Sequence, residues 1–130
     1  MKIKIILTGS SGFIGKNLVK FFKTKNVNLV KLKTKDILKK KINYKKISHI
    51  LHAGFDMRKK AVNVNSQLKI LKKLSKYAIE NNCKVIFLSS SCFGKYNERK
   101  LHLNSNYQKA KKKCEDYLIE NKERGLKSVI

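Results

Sequence analysis

Apolar residues in this chain alternate between short β-branched runs and longer stretches with helical spacing. The short runs predict strands over residues 2–7, 27–33, 47–53, 84–90 and 126–130. The longer stretches predict helices over residues 13–23, 61–81 and 107–121. Strands that alternate with amphipathic helices form right-handed βαβ units, which place the strands parallel in one sheet. The pattern therefore predicts an α/β fold with a doubly wound parallel sheet.

The segment between the second and third predicted strands is short and mostly polar. Residues 34–46 are too few for a full helix and a further strand, so we expect an abbreviated unit there. The chain has no proline, no internal repeat and no linker-like stretch. We therefore expect a single domain over residues 1–130.

The loop between the first strand and the first helix carries three of the six glycines, at Gly9, Gly12 and Gly15. This spacing suits a dinucleotide-binding loop: the first glycine allows a tight turn, the second lets the backbone approach a pyrophosphate, and the third lets the helix pack closely on its strand. The amino terminus of the following helix offers free N–H groups and a positive dipole end to the phosphates. The alternative is a glycine-rich turn that binds no ligand.

The sequence Thr-Gly-Ser-Ser-Gly-Phe-Ile-Gly at residues 8–15 resembles the cofactor loop of the NAD-dependent epimerase/dehydratase family. These extended short-chain dehydrogenases/reductases remodel nucleotide sugars. Residues 49–54 resemble the family's fourth strand, which usually ends in His-x-Ala-Ala beside the cofactor. Residues 62–65 resemble the start of the next helix, and residues 85–91 resemble the strand that ends in the catalytic serine. The resemblance implies a Rossmann-like NAD(P)-binding domain.

The same resemblance implies which residues bind the cofactor. They lie in the glycine loop, after the fourth family strand and on the helix that starts near residue 107. They are Gly9, Ser10, Ser11, Gly12, Phe13, Ile14, Gly15, Ala53, Gly54, Tyr107 and Lys111.

A catalytic set of Ser90, Tyr107 and Lys111 is also implied, because Tyr107 and Lys111 have the family's Y-x-x-x-K form. A second such pair, Tyr96 and Lys100, lies in a polar stretch, whereas Tyr107 opens a helical pattern. Positions i and i+4 share a helix face, so the Lys111 ammonium can lower the pKa of the Tyr107 hydroxyl from about 10 toward neutrality. Tyr107 would then act as general base, with Lys111 also holding the nicotinamide ribose.

Ser90 best matches the family's serine by its register from the strand, and its role would be to hydrogen-bond the substrate oxygen. Ser89 or Ser91 could serve instead. Simpler alternatives stay open, namely a strand end capped by small polar residues and a half-buried tyrosine at a helix start.

The end of the second predicted strand bears on the choice between NAD and NADP. An acidic residue that binds the adenine ribose is expected there, but the positions hold Lys31 and Lys33, and Asp36 comes slightly too late. Lysines at this place can bind a 2′-phosphate. Lys33 is therefore a predicted cofactor contact, and NADP is at least as favoured as NAD.

The charge is unusual, with 32 basic and 8 acidic residues and a net charge of +24. All but three of the basic residues are lysines, spread from end to end, whereas specific nucleic-acid recognition favours arginine. We interpret them as a solvated surface that binds nucleic acid only non-specifically.

Location and metal content are also predicted from the sequence. No apolar run is long enough to cross a membrane, and the first strand leaves no room for a signal peptide. The three cysteines lack metal-ligand spacing and are typical of reduced thiols. We expect a cytoplasmic protein without a metal site.

Family members continue well past the Tyr–Lys helix into a region that binds the nucleotide sugar, whereas this sequence ends at residue 130. We therefore expect an incomplete fold, from a truncated nucleotide-sugar epimerase, dehydratase or reductase that is weakly active or inactive alone. Its substrate site would need a carboxyl-terminal region, and it would form a homo-oligomer or pair with a separate chain. The alternatives are a non-catalytic dinucleotide-binding or regulatory protein and a basic nucleic-acid-associated protein.

Overall fold

The computed structural model describes residues 2–55, 63–89 and 106–130. The strands there are β1 (Ile3–Thr8), β2 (Val27–Leu32), β3 (His49–His52), β4 (Lys84–Phe87) and β5 (Ser128–Val129). The helices are α1 (Phe13–Lys23), α2 (Thr34–Lys39), α3 (Val64–Glu80) and α4 (Asn106–Glu120).

All five strands are parallel, in the order β2-β1-β3-β4-β5. The register places Thr8 opposite both Leu32 and His52, and His52 opposite Phe87. The carboxyl ends of four strands therefore meet at one edge of the sheet. The chain leaves β1 toward β2 and returns on the other side through β3, so the strand order switches beside the loop that follows β1. Open α/β sheets bind ligands at such switch points.

Helices cover both faces of the sheet. Helix α1 packs on one face through Leu18, Val19 and Phe22, against a small apolar cluster centred on the middle of the sheet. The larger core lies on the other face, under α2, α3 and α4. Its fully buried members include Ile6, Ile50, Leu71, Leu74, Val85, Phe87, Cys114 and Leu118.

Helix α3 begins at a side-chain cap and buries one face. Asn63 accepts a hydrogen bond from the Ser66 backbone N–H at 3.0 Å, which satisfies one of the free donors of the first turn. Leu71 and Leu74 lie on this face and are fully buried. Lys73, one of the lysines interpreted from the sequence as a solvated surface, is half-buried and donates to the backbone carbonyls of residues 37 and 38 at 3.0 and 2.7 Å. This lysine therefore fastens the end of α2 to α3.

Two of the three cysteines fall in the described part of the chain. Cys83 and Cys114 are buried and not disulfide-bonded. Burial raises the pKa of both thiols, that of Cys114 to about 11. Both are thus inert thiols in the core.

The structure confirms the predicted doubly wound, Rossmann-like α/β sheet. Each predicted strand and helix is present, with ends that differ by up to three residues. Residues 34–46 contain α2 and no strand, so the unit after β2 is abbreviated as expected. Within the described ranges, no helix has both the length and the apolar character required to cross a membrane.

Candidate functional site

The glycine loop joins β1 to α1 through close backbone contacts. Gly9 has a positive φ of 73°, and a Cβ there would lie 2.5 Å from the Cα of Gly54 in the loop after β3. A Cβ on Gly15 would lie 1.9 Å from the Gly9 carbonyl oxygen. The fold itself therefore requires glycine at both positions.

Gly12 differs from these two glycines. Its φ of −75° and ψ of 174° suit any residue. Among the residues that the structure describes, a Cβ at Gly12 would meet only the Gly9 oxygen, at an ordinary 3.5 Å. Protein packing therefore gives no reason for glycine at position 12.

The amino terminus of α1 is open at the same place. Gly12 is its N-cap and supplies no side-chain hydrogen bond, and the first turn contains no acidic residue. The first backbone N–H bonded to the cap carbonyl belongs to Lys16, so the N–H groups of residues 13–15 have no acceptor within the helix. Phe13 is 85% exposed and Ile14 is 54% exposed. Gly12, for which packing gives no reason, is thus surrounded by free N–H donors and exposed apolar side chains. The N–H donors suit the phosphates of a dinucleotide.

Three residues connect the ends of β1 and β3. The Gly54 N–H donates to Thr8 Oγ1 at 3.0 Å, and Thr8 Oγ1 lies 2.7 Å from His52 Nδ1. Thr8 Oγ1 accepts from Gly54 and can donate its own proton to His52 Nδ1. Nδ1 is then unprotonated, and the imidazole proton lies on Nε2. This chain of hydrogen bonds holds Gly54 against Gly9.

His52 is fully buried in a site that disfavours its charged form. Burial, and secondarily the Lys111 ammonium, lowers the pKa of His52 from 6.5 to about 3. Its Nε2 is buried and has no hydrogen-bond partner among the described residues. His52 is therefore a neutral acceptor for Thr8 across the ordinary pH range.

Tyr107 and Lys111 lie together at the start of α4. Lys111 is only 4% exposed, and its ammonium donates to the Leu88 carbonyl at the end of β4. The Lys111 Nζ lies 4.1 Å from the Phe55 ring centroid, 4.7 Å from that of Phe87 and 5.7 Å from that of Tyr107. The Phe55 and Tyr107 rings meet edge to face at 5.4 Å. The structure thus brings the predicted Tyr–Lys pair together beside the loop that follows β3.

The predicted serine, Ser90, lies outside the described residues, as does Ser91. Ser89, the neighbouring alternative, donates to a Glu115 carboxylate oxygen on α4. Together with the bond from Lys111 to Leu88, this contact ties the end of β4 to one face of α4. The backbone that leads to Ser90 is therefore held against α4 at residues 88 and 89.

The residues after β2 approach the loop that follows β3. A Cβ on Gly54 would meet the Thr34 methyl group at 2.7 Å, so the start of α2 lies against the loop that follows β3. Lys33, the N-cap of α2, is exposed. Ala53 lies half-buried beside Gly54, and Ser10 and Ser11 form the turn into α1. Apart from Ser90, the predicted cofactor and catalytic residues fall around one edge of the sheet.

Three residues of this site are not predicted by the sequence pattern. His52 lies at the end of β3, where its hydrogen bond to Thr8 holds the residue that precedes the glycine loop. Phe55 and Glu115 carry no motif. Only the strand register, which places His52 opposite Thr8, could have pointed to the first of them. The described part of the chain contains no group of three metal-ligating side chains.

Comparison with known proteins identifies relatives of this architecture. Residues 5–130 match the model of the NAD dependent epimerase/dehydratase family. No curated protein matches the sequence significantly. Similar solved structures include a short-chain dehydrogenase/reductase superfamily protein from Agrobacterium tumefaciens with bound NAD, with a TM-score of 0.76 and 17% identity over 98% of this chain.

Two epimerases are similar to a comparable degree. The UDP-N-acetylglucosamine 4-epimerase from Bacillus cereus has a TM-score of 0.74 and 20% identity over 98% of this chain. The UDP-glucose 4-epimerase from Thermotoga maritima has a TM-score of 0.75 and 20% identity over 97%. At these identities the likeness shows the fold. The match covers 48%, 58% and 53% of the three structures, so the chain spans about half their length.

Proposed function

Because the chain belongs to the NAD dependent epimerase/dehydratase family, we propose that residues 1–130 form a single domain that binds NAD or NADP at the β1–α1 loop. The cofactor would contact the loop residues 9–15, Ala53 and Gly54 after β3, and Tyr107 and Lys111 on α4. The domain would act in the cytoplasm.

The observation that carries this proposal is the glycine at position 12. The fold requires Gly9 and Gly15, whereas the described residues leave room for a Cβ at Gly12. That room lies at the open amino terminus of α1, where free N–H groups attract an anion. A pyrophosphate that approaches the backbone would require glycine there, so the residues present fit the cofactor.

The chemistry we propose is hydride transfer at a sugar carbon. The nicotinamide, when bound, takes or gives the hydride. Tyr107 removes or returns the proton of the sugar hydroxyl, and the nearby Lys111 ammonium favours the phenolate. Ser90 orients the reacting oxygen by a hydrogen bond. The contacts of Ser89 with Glu115 and of Leu88 with Lys111 support this arrangement, because they fix the strand end that leads to Ser90.

The substrate we propose is a nucleotide sugar. The support is the family itself and the two similar structures, which are epimerases of UDP-sugars. The sugar site would involve residues beyond this region or a partner chain. A non-catalytic dinucleotide-binding protein is the second candidate, favoured by the Lys111 ammonium, which is directed to a backbone carbonyl and covered by Phe55.

We expect a polypeptide of these 130 residues to bind cofactor yet turn over nucleotide sugars weakly or not at all. The reacting carbon must be held near the nicotinamide, and small misplacements cost large factors in rate. The chain spans only about half the length of the similar structures. The test is an assay against UDP-, GDP- and dTDP-sugars, with the mass in solution measured in parallel. Robust turnover by the monomer would contradict the expectation.

We expect NADP to bind at least as tightly as NAD, because the exposed Lys33 stands beside the start of α2 where the adenine ribose is predicted. Lys33→Asp should lower the affinity for NADP about tenfold relative to the affinity for NAD, as measured by calorimetry. Lys69→Asp makes the same charge change on the exposed face of α3 and serves as the matched control. If both variants shift the NADP/NAD ratio equally, overall charge rather than Lys33 sets the preference.

A further inference from the structure

The Phe55 side chain joins the loop after β3 to the Tyr–Lys pair. It follows Gly54, whose backbone lies against Gly9 of the glycine loop. Its ring contacts the Tyr107 ring edge to face and lies 4.1 Å from the Lys111 ammonium. One aromatic side chain therefore stands at the junction of the predicted cofactor loop and the predicted catalytic helix.

The Lys111 ammonium is held by this ring as well as covered by it. A cation within about 6 Å of a ring centroid is attracted to the ring face, more strongly when it is shielded from water. Phe55 and Phe87 both lie within that distance, and the Leu88 carbonyl accepts a hydrogen bond from the same ammonium. Lys111 must give up part of this environment before it can bind a ribose hydroxyl.

We propose that Phe55 is a positioning residue that limits the affinity for the nicotinamide half of the dinucleotide by covering the Lys111 ammonium. The inference rests on the proposed function. Displacing the ring would cost binding free energy only for ligands that reach Lys111. Ligands that occupy the phosphate loop alone would not displace Phe55, so their affinity does not depend on it.

The experiment compares NAD and ADP binding by calorimetry for the unmodified chain, Phe55→Ala and Phe55→Leu. Removing the ring should increase the affinity for NAD about three- to tenfold. This factor matches the strength of a partly shielded cation–ring contact. Phe55→Leu keeps most of the volume and loses the attraction for the cation, so it should fall between the other two. It also preserves the test if Phe55→Ala does not fold. ADP should bind all three equally.

Two further variants show whether the effect runs through Lys111. Phe21→Ala removes an exposed phenylalanine from α1 and should change neither affinity. In the Lys111→Met background, Phe55→Ala should give no gain for NAD, because no ammonium remains to be released. A gain that persists without Lys111 would overturn the proposal.

The failures of the two proposals are distinguishable. If ADP binds but NAD affinity is unchanged or weaker in Phe55→Ala, the ring is a packing or stacking residue, and only the inference about Phe55 is overturned. If the unmodified chain binds neither ADP nor NAD, the proposed function fails and the inference fails with it.

Discussion

Gly12→Val is expected to abolish measurable NAD and NADP binding while leaving the fold intact. The free N–H groups at the start of α1 can donate to a pyrophosphate only if it approaches the backbone, and a branched side chain at the N-cap prevents this approach. Hydrogen bonds to charged groups contribute about 1.5–3 kcal/mol each, so the loss should exceed tenfold. Packing among the described residues does not oppose a Cβ at this position, since the one contact that it would make there is with the Gly9 oxygen, at 3.5 Å.

The matched control for this variant is Gly15→Ala. A Cβ on Gly15 would lie 1.9 Å from the Gly9 oxygen, so this smaller substitution should destabilise the fold by about 1–3 kcal/mol or more. Gly12→Val should lose about 1 kcal/mol or less, mainly from a poorer N-cap. Calorimetry and urea unfolding on both variants separate binding from stability. Unchanged cofactor affinity in Gly12→Val would show that the loop does not bind the pyrophosphate.

Stability is expected to fall steeply with acid because of His52. In the folded chain, burial lowers the pKa of His52 from 6.5 to about 3. Between these two values the unfolded chain takes up a proton that the folded chain does not bind. The free energy of unfolding should therefore fall by about 1.4 kcal/mol for each pH unit between 6.5 and about 3. Above pH 6.5 the imidazole is neutral in both states, and His52 causes no loss of stability.

The comparison for this effect is His52→Asn, whose Oδ1 can accept the Thr8 hydroxyl as Nδ1 does. The free energy of unfolding is measured by urea at several pH values between 7 and 4.5. Its decrease with falling pH should be steeper in the unmodified chain than in His52→Asn, by the equivalent of about one proton. Carboxylates titrate in both proteins and cancel in the difference. Parallel profiles would show that His52 binds its proton equally in both states, contrary to its burial beside Lys111.

Much of the fold could be predicted because the local signals agree. Strands β1 and β4 are short apolar runs, and α3 has a clear apolar face, so period and composition identify the same elements. Helix α2 was not predicted because its six residues, Thr34–Lys39, are too few to show a helical periodicity. Its position depends on long-range contacts, such as the bonds from Lys73 to the carbonyls at its end.

The candidate site was only partly predictable, for a physical reason. The glycine spacing reports backbone geometry and can be read locally, but it does not separate the glycines that the fold requires from Gly12, for which protein packing gives no reason. That distinction depends on contacts between Gly9, Gly15 and Gly54 across two loops. The cover of Phe55 over Lys111 likewise joins residues far apart in sequence. Only the folded chain shows these juxtapositions.

We propose above all that a nicotinamide dinucleotide binds at the β1–α1 loop. The net charge of +24 gives this protein a diffuse attraction for any anionic ligand, so an affinity alone is not decisive. The most direct measurement is an NMR titration of the ¹⁵N-labelled chain with NADP at physiological salt. If the dinucleotide binds at this loop, the backbone amides of residues 9–15 and of Gly54 will shift most and saturate together. Shifts scattered over lysine-rich surfaces, with those amides unmoved, would contradict it.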